Sequence, residues 1–154
     1  MNIIYHCVGG SHSSVIASAI HLGILPIDKK PSLEEILSVP YFDRLNKQDR
    51  GKIIFRGIDK DNNKIFTLSR QFAPNIVIPA IKDSWELAGG SKNELLAINT
   101  MSAVNLLMKI GGFSSRRLKL VSLGRPIVAR GTLLAYNDLV NIVQNTKDII
   151  KQLT

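Results

Sequence analysis

Cysteine is almost absent from this chain, since Cys7 is the only one among 154 residues. A single thiol forms no internal disulfide, which excludes a disulfide-stabilised scaffold and agrees with a reducing compartment. The chain also lacks a Cys-x-x-Cys pair or a His-x-x-x-His element that could complete a zinc site, and it contains no cofactor motif. No metal ligand set is therefore predicted as the first choice, and the sequence identifies no cofactor.

Long apolar runs are missing as well. No stretch approaches the roughly 20 residues that span a bilayer, and the N-terminus has no basic region followed by a long apolar core and a cleavage site. We expect a cytoplasmic protein without a membrane segment. With 45% hydrophobic residues, 154 residues suffice for one core but not for two ordinary domains, which predicts a single domain over residues 1–154.

Acidic residues are scarce relative to basic ones, at 12 against 20, and the net charge of +8 favours an anionic partner. Aromatic residues make up only 6% of the chain. They do not alternate with basic residues as in proteins that stack single-stranded bases, and no zinc-finger or basic-zipper spacing is present. Nucleic acid or an acidic protein is therefore an alternative partner, and a small anion is the first expectation.

What the sequence does contain is a concentration of reactive side chains near its start. Three of them, His6, Cys7 and His12, lie in one segment with two glycines and three serines. Apolar residues precede the segment and an amphipathic run follows it, which predicts a strand, a glycine-rich turn and a helix N-terminus. Unpaired N–H groups and the helix dipole make such a turn suitable for an anion. The predicted ligand-binding residues of this segment are His6, Gly9, Gly10, Ser11, Ser13 and Ser14.

The segment matches no familiar phosphate motif. It has neither the lysine of GxxxxGK[ST] nor the spacing of GxGxxG, and the position six residues after Cys7 is Ser13, where a C-x5-R phosphatase loop has arginine. At a strand end near a helix N-terminus, Cys7 is a candidate nucleophile and His12 its candidate acid or base. Two alternatives stay open: Cys7 is a buried packing residue, or it ligates a metal with His6 and His12. His21 is expected to be a packing or surface residue.

The rest of the chain shows alternating strand and helix signals. The first predicted elements are a capped helix from Ser32 that ends before Pro40, a β-hairpin formed by residues 52–56 and 64–68, and a helix entered near Pro74 or restarted at Pro79. A strand at residues 95–98 follows, and then a helix capped by Thr100 or Ser102 and stopped at Gly111-Gly112. The last predicted elements are a strand at residues 127–129 and a helix from about Leu133.

This order predicts an α/β protein, a three-layer Rossmann-like domain with a mainly parallel sheet plus an antiparallel hairpin. Ligands of such sheets bind beyond the carboxyl ends of the strands. Three strand-to-helix turns would meet there: residues 6–14, residues 99–102 with Thr100, and residues 130–132 with Arg130. Arg125 and Arg130 are predicted to bind the anion, whereas the basic residues among 114–119 are expected mainly to form a solvated surface.

Four segments carry a resemblance to a known family. They are residues 3–14, Pro40-Tyr41-Phe42-Asp43, residues 105–113 and residues 123–132. Through them the chain resembles DUF3189, a small bacterial family of unknown function found mainly in spore-forming bacteria. The resemblance implies no activity, ligand or catalytic residue. The residues themselves therefore support the leading hypothesis, a protein that binds a small phosphate-bearing anion and is either a group-transfer or hydrolytic enzyme or a non-catalytic regulatory module.

Overall fold

The structure, a computed structural model, describes residues 1–116, 118 and 120–153. Its four strands are β1 (Asn2–Cys7), β2 (Ile53–Ile58), β3 (Lys64–Ser69) and β4 (Leu95–Asn99). Its helices are α1 (Ser13–His21), α2 (Leu33–Ser38), α3 (Pro74–Leu87), α4 (Leu106–Arg116), α5 (Val121–Leu134) and α6 (Tyr136–Leu153). Short 3-10 turns cover Lys47–Asp49, Lys92–Glu94 and Met101–Ala103.

The four strands form one sheet in the order β2-β3-β1-β4. β1 is parallel to both of its neighbours, β3 and β4, whereas β2 is antiparallel to β3. The predicted hairpin is therefore confirmed, with β2 at the margin of the sheet and an irregular register between Phe55 and Gly57. The mainly parallel α/β architecture is confirmed as well.

Side chains alternate between the two faces of β1, and each face has its own apolar layer. Ile3 and Tyr5 join the main core, which contains residues of α1, α2, α4, α5 and α6. Ile4 joins a small cluster with Leu68 and Leu95, against which α3 packs. We call these two sides the α1 face and the α3 face. The sheet thus lies between two helical layers, as a Rossmann-like layout requires.

Local sequence signals explain two of the helices. At α2, the Ser32 hydroxyl accepts a hydrogen bond from Glu35 N at 3.1 Å while the Glu35 carboxylate accepts one from Ser32 N at 2.6 Å, which completes the predicted capping box. At α3, Pro74 occupies the first turn, where its missing N–H costs nothing, and Pro79 lies inside the helix. The prediction of a helix entered near Pro74 is confirmed.

The last predicted strand is wrong, because residues 127–129 lie inside α5. Gly111 and Gly112 likewise do not stop α4, which continues to Arg116. Thr100 and Ser102 do not cap that helix either: the Asn105 side chain accepts a hydrogen bond from Met108 N at 3.0 Å at its start. A short apolar run such as 127–129 fits a buried helix as well as a strand.

Glycines explain why α4 and α5 can pair as they do. A Cβ atom on Gly111 would lie 2.4 Å from Val128 N, and one on Gly124 would lie 2.4 Å from Ser115 N. The two helix backbones are therefore in direct contact, and only glycine fits at these positions. The same glycines that resemble helix stops in the sequence are the contact surface of a helix pair.

Candidate functional site

Loops from three adjacent strands meet at one edge of the sheet. Cys7 at the end of β1 is in register with Ser69 at the end of β3, and His6 is in register with Asn99 at the end of β4. The chain passes from β1 to β3 on one side and returns past β1 to β4 on the other. Strand order therefore reverses at β1, which is where ligands of open α/β sheets bind.

Cys7 is held by two polar contacts within the β1–α1 loop, residues 8–12, and the first turn of α1. Gly10 N donates a hydrogen bond to Cys7 Sγ at 3.1 Å, and the Ser14 hydroxyl lies 3.3 Å from the same sulfur. Cys7 is only 4% exposed. These contacts fix the position of the sulfur at the end of β1, next to the N-terminus of α1.

The N-terminus of α1 is buried and has no side-chain cap. Its N-cap residue is His12, whose side chain makes no capping hydrogen bond, and Ser13 and Ser14 are 1% and 0% exposed. The first N–H groups of a helix have no intrahelical partner. Buried, uncapped donors of this kind are typical of a helix start that binds an anion.

Two glycines shape the loop in different ways. Gly10 has φ +65°, and a Cβ there would lie 2.8 Å from Ser69 N, so the loop packs directly on the end of β3. Gly9 is exposed, and a Cβ there would meet nothing within 4 Å. The loop therefore has a fixed side against β3 and an open side at Gly9.

Thr100 joins the ends of β1 and β4 to α1. Its hydroxyl donates to the His6 carbonyl at 3.1 Å, so its oxygen accepts from the Ser13 hydroxyl at 2.8 Å. Thr100 is fully buried and Ser13 nearly so. Because the Ser13 hydroxyl proton is committed to Thr100, Ser13 can offer a ligand its backbone N–H but not its hydroxyl proton.

His12 is oriented by a residue from outside the loop, Asp43. His12 Nε2 donates to Asp43 Oδ1 at 2.9 Å, which leaves Nδ1 on the opposite side of the ring near Gly112. The second carboxylate oxygen of Asp43 accepts from the hydroxyl of Ser115 on α4. This assignment makes His12 Nδ1 available as a proton acceptor, with a buried carboxylate behind it.

The segment around Asp43 is pressed against the loop. Asp43 N donates to Ser11 O at 3.0 Å, and the Phe42 ring packs edge-on against His12 with centroids 5.6 Å apart. Tyr41 and Asp43 both have positive φ, at 68° and 51°, which is costly for residues with side chains. The surrounding contacts hold this backbone, and with it His12, in one arrangement.

Sequence reasoning assigned no role to Asp43, although it lies in one of the segments that carry the family resemblance.

The matching family model is described as a protein of unknown function, DUF3189, and it covers residues 2–148. The chain belongs to this family. No curated protein and no solved structure matches the chain significantly. In the described part of this DUF3189 member, no helix is both long and apolar enough to cross a membrane.

The DUF3189 structure separates some residues that the sequence grouped together. Cys7 contacts Gly10 and Ser14 while His12 contacts Asp43, and within the described residues no hydrogen bond joins Cys7 to His12. His6 lies on the α3 face, opposite Cys7, because neighbouring strand residues point to opposite faces. The alternative metal set of His6, Cys7 and His12 is therefore not brought together.

Of the two predicted arginines, one lies beside the site of this DUF3189 chain. Arg125 Nη2 donates to Phe42 O at 3.2 Å, next to Asp43. Arg130 is exposed on α5, so its predicted place at a strand-to-helix turn is wrong, for the same reason that the strand at 127–129 is wrong. In the basic segment, Arg117, Lys119 and the side chain of Arg116 lie outside the described residues.

His21 belongs to a separate buried network. It donates through Nε2 to Asp59 Oδ2 at 3.0 Å, and its Nδ1 accepts from the Tyr5 hydroxyl at 2.7 Å. Burial lowers the pKa of His21, although the hydrogen bond to Asp59 acts in the opposite direction. This network ties α1 to the hairpin turn of the DUF3189 fold, which confirms the packing alternative for His21.

Proposed function

We propose that this protein binds a small phosphate-bearing anion in the β1–α1 loop. The observation that supports this most strongly is the buried N-terminus of α1, which has no side-chain cap and so leaves N–H donors at Ser13 and Ser14 for a ligand. Gly9 provides the open side through which the ligand approaches. The dipole of α1 and the charge of Arg125 favour an anion here.

The same geometry supports a chemical step. In the catalytic form of the proposal, Cys7 Sγ attacks the phosphorus of a phosphate monoester, an S–P bond forms, and the P–O bond to the alcohol breaks. Protonated His12 gives its proton to the departing oxygen. Water then attacks phosphorus and loses a proton to His12, the S–P bond breaks, and phosphate leaves.

His12 and its partners have distinct roles in this scheme. Asp43 accepts the Nε2 proton and fixes the orientation of the imidazole, so Nδ1 is the atom that exchanges the proton. Gly10 N and the Ser14 hydroxyl hold Cys7 Sγ in the position from which it attacks. Ser13 stands where a C-x5-R loop has its arginine. The positive potential that attracts the anion therefore comes from the α1 dipole and Arg125.

Binding is tested by a thermal-shift screen of inorganic phosphate, sulfate, nucleotides, sugar phosphates and divalent metals. The sharpest variant pair is Gly9→Asp with Gly9→Asn as its control, because Gly9 is exposed and a Cβ there would meet nothing within 4 Å. We expect one anion class to raise the melting temperature, by an amount equivalent to about 2.7 kcal/mol at a hundredfold excess over Kd. Gly9→Asp should remove this shift by repulsion, and Gly9→Asn should keep it.

Arg130→Ala serves as a second control, since it removes a positive charge from an exposed position on α5. If phosphate compounds give no shift, or if Gly9→Asp leaves the shift unchanged, the loop is not the site. An oligonucleotide that binds Gly9→Asp as well as the native chain, with steep salt dependence, would instead support the alternative of a basic macromolecule-binding surface.

The catalytic form is tested separately with 4-nitrophenyl phosphate. Cys7→Ser should lose turnover while retaining phosphate binding, and His12→Gln should lower kcat by about 10²–10⁴-fold. Mass spectrometry of the quenched reaction should detect a phosphorylated Cys7 in the native chain. Unchanged turnover in Cys7→Ser would show that Cys7 is not the nucleophile, whatever the binding screen gives.

A further inference from the structure

Two basic side chains lie together on the α3 face of the same sheet edge. His6, near the end of β1, is in register with Leu68, and Arg70 follows β3 directly. Their residues are 4% and 7% exposed. They are close enough that the charge of Arg70, after burial, is the second cause that lowers the pKa of His6, to about 4.

Both side chains have buried polar atoms without a partner. In the described part of the chain, His6 Nδ1 and Arg70 Nε make no hydrogen bond. Arg70 Nη1 donates to Gln71 O at 2.7 Å, but no carboxylate of the described residues forms an ion pair with it. A buried guanidinium without a counter-charge is costly, and buried donors are nearly always satisfied.

The backbone that carries Arg70 is held firmly against the end of β1. Arg70 N donates to Cys7 O at 3.1 Å and Gln71 N donates to Val8 O at 3.0 Å, and the Gln71 amide also donates to Val8 O at 3.1 Å. Gln71 has φ +52°, an uncommon value for a residue with a side chain. The backbone that carries Arg70 is therefore fixed beside the end of β1, next to His6.

We infer that His6 and Arg70 form a second oxyanion site on the α3 face, which binds a carboxylate or phosphate group between Arg70 Nε and His6 Nδ1. Arginine suits both groups because its donors form a planar fork, and neutral imidazole donates through Nδ1–H. The site is independent of the β1–α1 loop, because His6 and Cys7 point to opposite faces of β1.

The inference is tested by following the three histidines by NMR in pH titrations with and without phosphate, and with acetate as the carboxylate probe. His6 is assigned from the spectrum of His6→Gln. An anion beside the ring favours the protonated form, so we expect the pKa of His6 to rise by about one unit or more on saturation. The probe that shifts the pKa of His6 at the lower concentration is the preferred oxyanion.

Variants separate this site from the loop. Gly9→Asp should leave the anion response of His6 intact, whereas Arg70→Gln should remove it. Arg70→Lys is the second variant, because it keeps the charge but removes Nε and the planar fork. It should raise the anion concentration needed for half of the His6 response at least tenfold. A His6 that responds to neither anion, or that still responds in Arg70→Gln, would overturn the inference. Loss of the response in Gly9→Asp would also overturn the inference, because it would show that the anion binds only in the β1–α1 loop.

Discussion

The two faces of the sheet differ sharply in how completely they are covered. On the α1 face, Ile16 and Leu139 are fully buried in a core that several helices share. On the α3 face, α3 has no buried residue, Ile76 and Leu87 are 72% and 89% exposed, and an open groove of about 630 Å³ is lined by both the helix and the strands. The buried core that stabilises the fold thus lies on the α1 face, together with the β1–α1 loop. On the other face, α3 is only loosely packed against the sheet.

The largest effect that would test this difference comes from a matched pair of leucines. Leu139→Ala on α6 removes a fully buried side chain and should lower the free energy of unfolding by about 2–5 kcal/mol. Leu87→Ala on α3 should change it by no more than about 0.5 kcal/mol. Urea unfolding followed by circular dichroism measures both. Equal losses in the two variants would mean that α3 is as firmly packed as α6.

A smaller effect is expected where α4 and α5 meet on the α1 face. Gly111→Ala places a methyl group 2.4 Å from Val128 N and should cost about 1–3 kcal/mol, even though alanine is the better helix former. Gly9→Ala, where the new methyl group meets nothing within 4 Å, is the control. If Gly111→Ala raised stability in urea unfolding, the two helices could not be in backbone contact.

The smallest effect, taken per pH unit and per histidine, is a pH dependence to which both faces contribute. Burial lowers the pKa of His6 on the α3 face, to about 4, and of His21 on the α1 face. Since the native state favours the neutral rings, their contribution is complete above about pH 6.5 and declines as the pH falls toward the native-state value. Each histidine should contribute up to about 1.4 kcal/mol per pH unit in that window.

Unfolding in urea at several pH values between about 7.5 and 5 measures this slope. His6→Gln and His21→Gln should each flatten it, and His12→Gln serves as a comparison from the β1–α1 loop. A slope of the opposite sign, with stability rising on acidification below about pH 6.5, would contradict burial of the two neutral rings.

The unit from β1 to α1 could be predicted because its signals are local. An apolar run, two glycines and a serine-rich helix start follow one another directly, and no distant contact is needed to interpret them. The hairpin and the start of α3 at Pro74 are local for the same reason. In these segments the period of the apolar residues and the turn residues agree with the final structure.

The remainder depends on contacts between distant residues. Asp43 contacts His12 only because residues 41–43 pack on the loop, and Arg70 lies near His6 only because β3 is a neighbour of β1. The sequence predicted the hairpin as an antiparallel addition to the sheet, and it therefore did not predict that β3 ends beside the candidate site. At α4 and α5, glycines that usually end helices serve instead to bring two helices together.

The central position of β1 also has a consequence for synthesis of the chain. This strand leaves the ribosome before its pairing partners, which begin at Lys64 and Leu95, and before Thr100, which links the loop to β4. Non-local pairing of this kind makes folding slower, because the intervening chain must be ordered first. The segment that carries Cys7 and His12 is thus made well before the residues that hold it, and it takes its shape only after they have emerged.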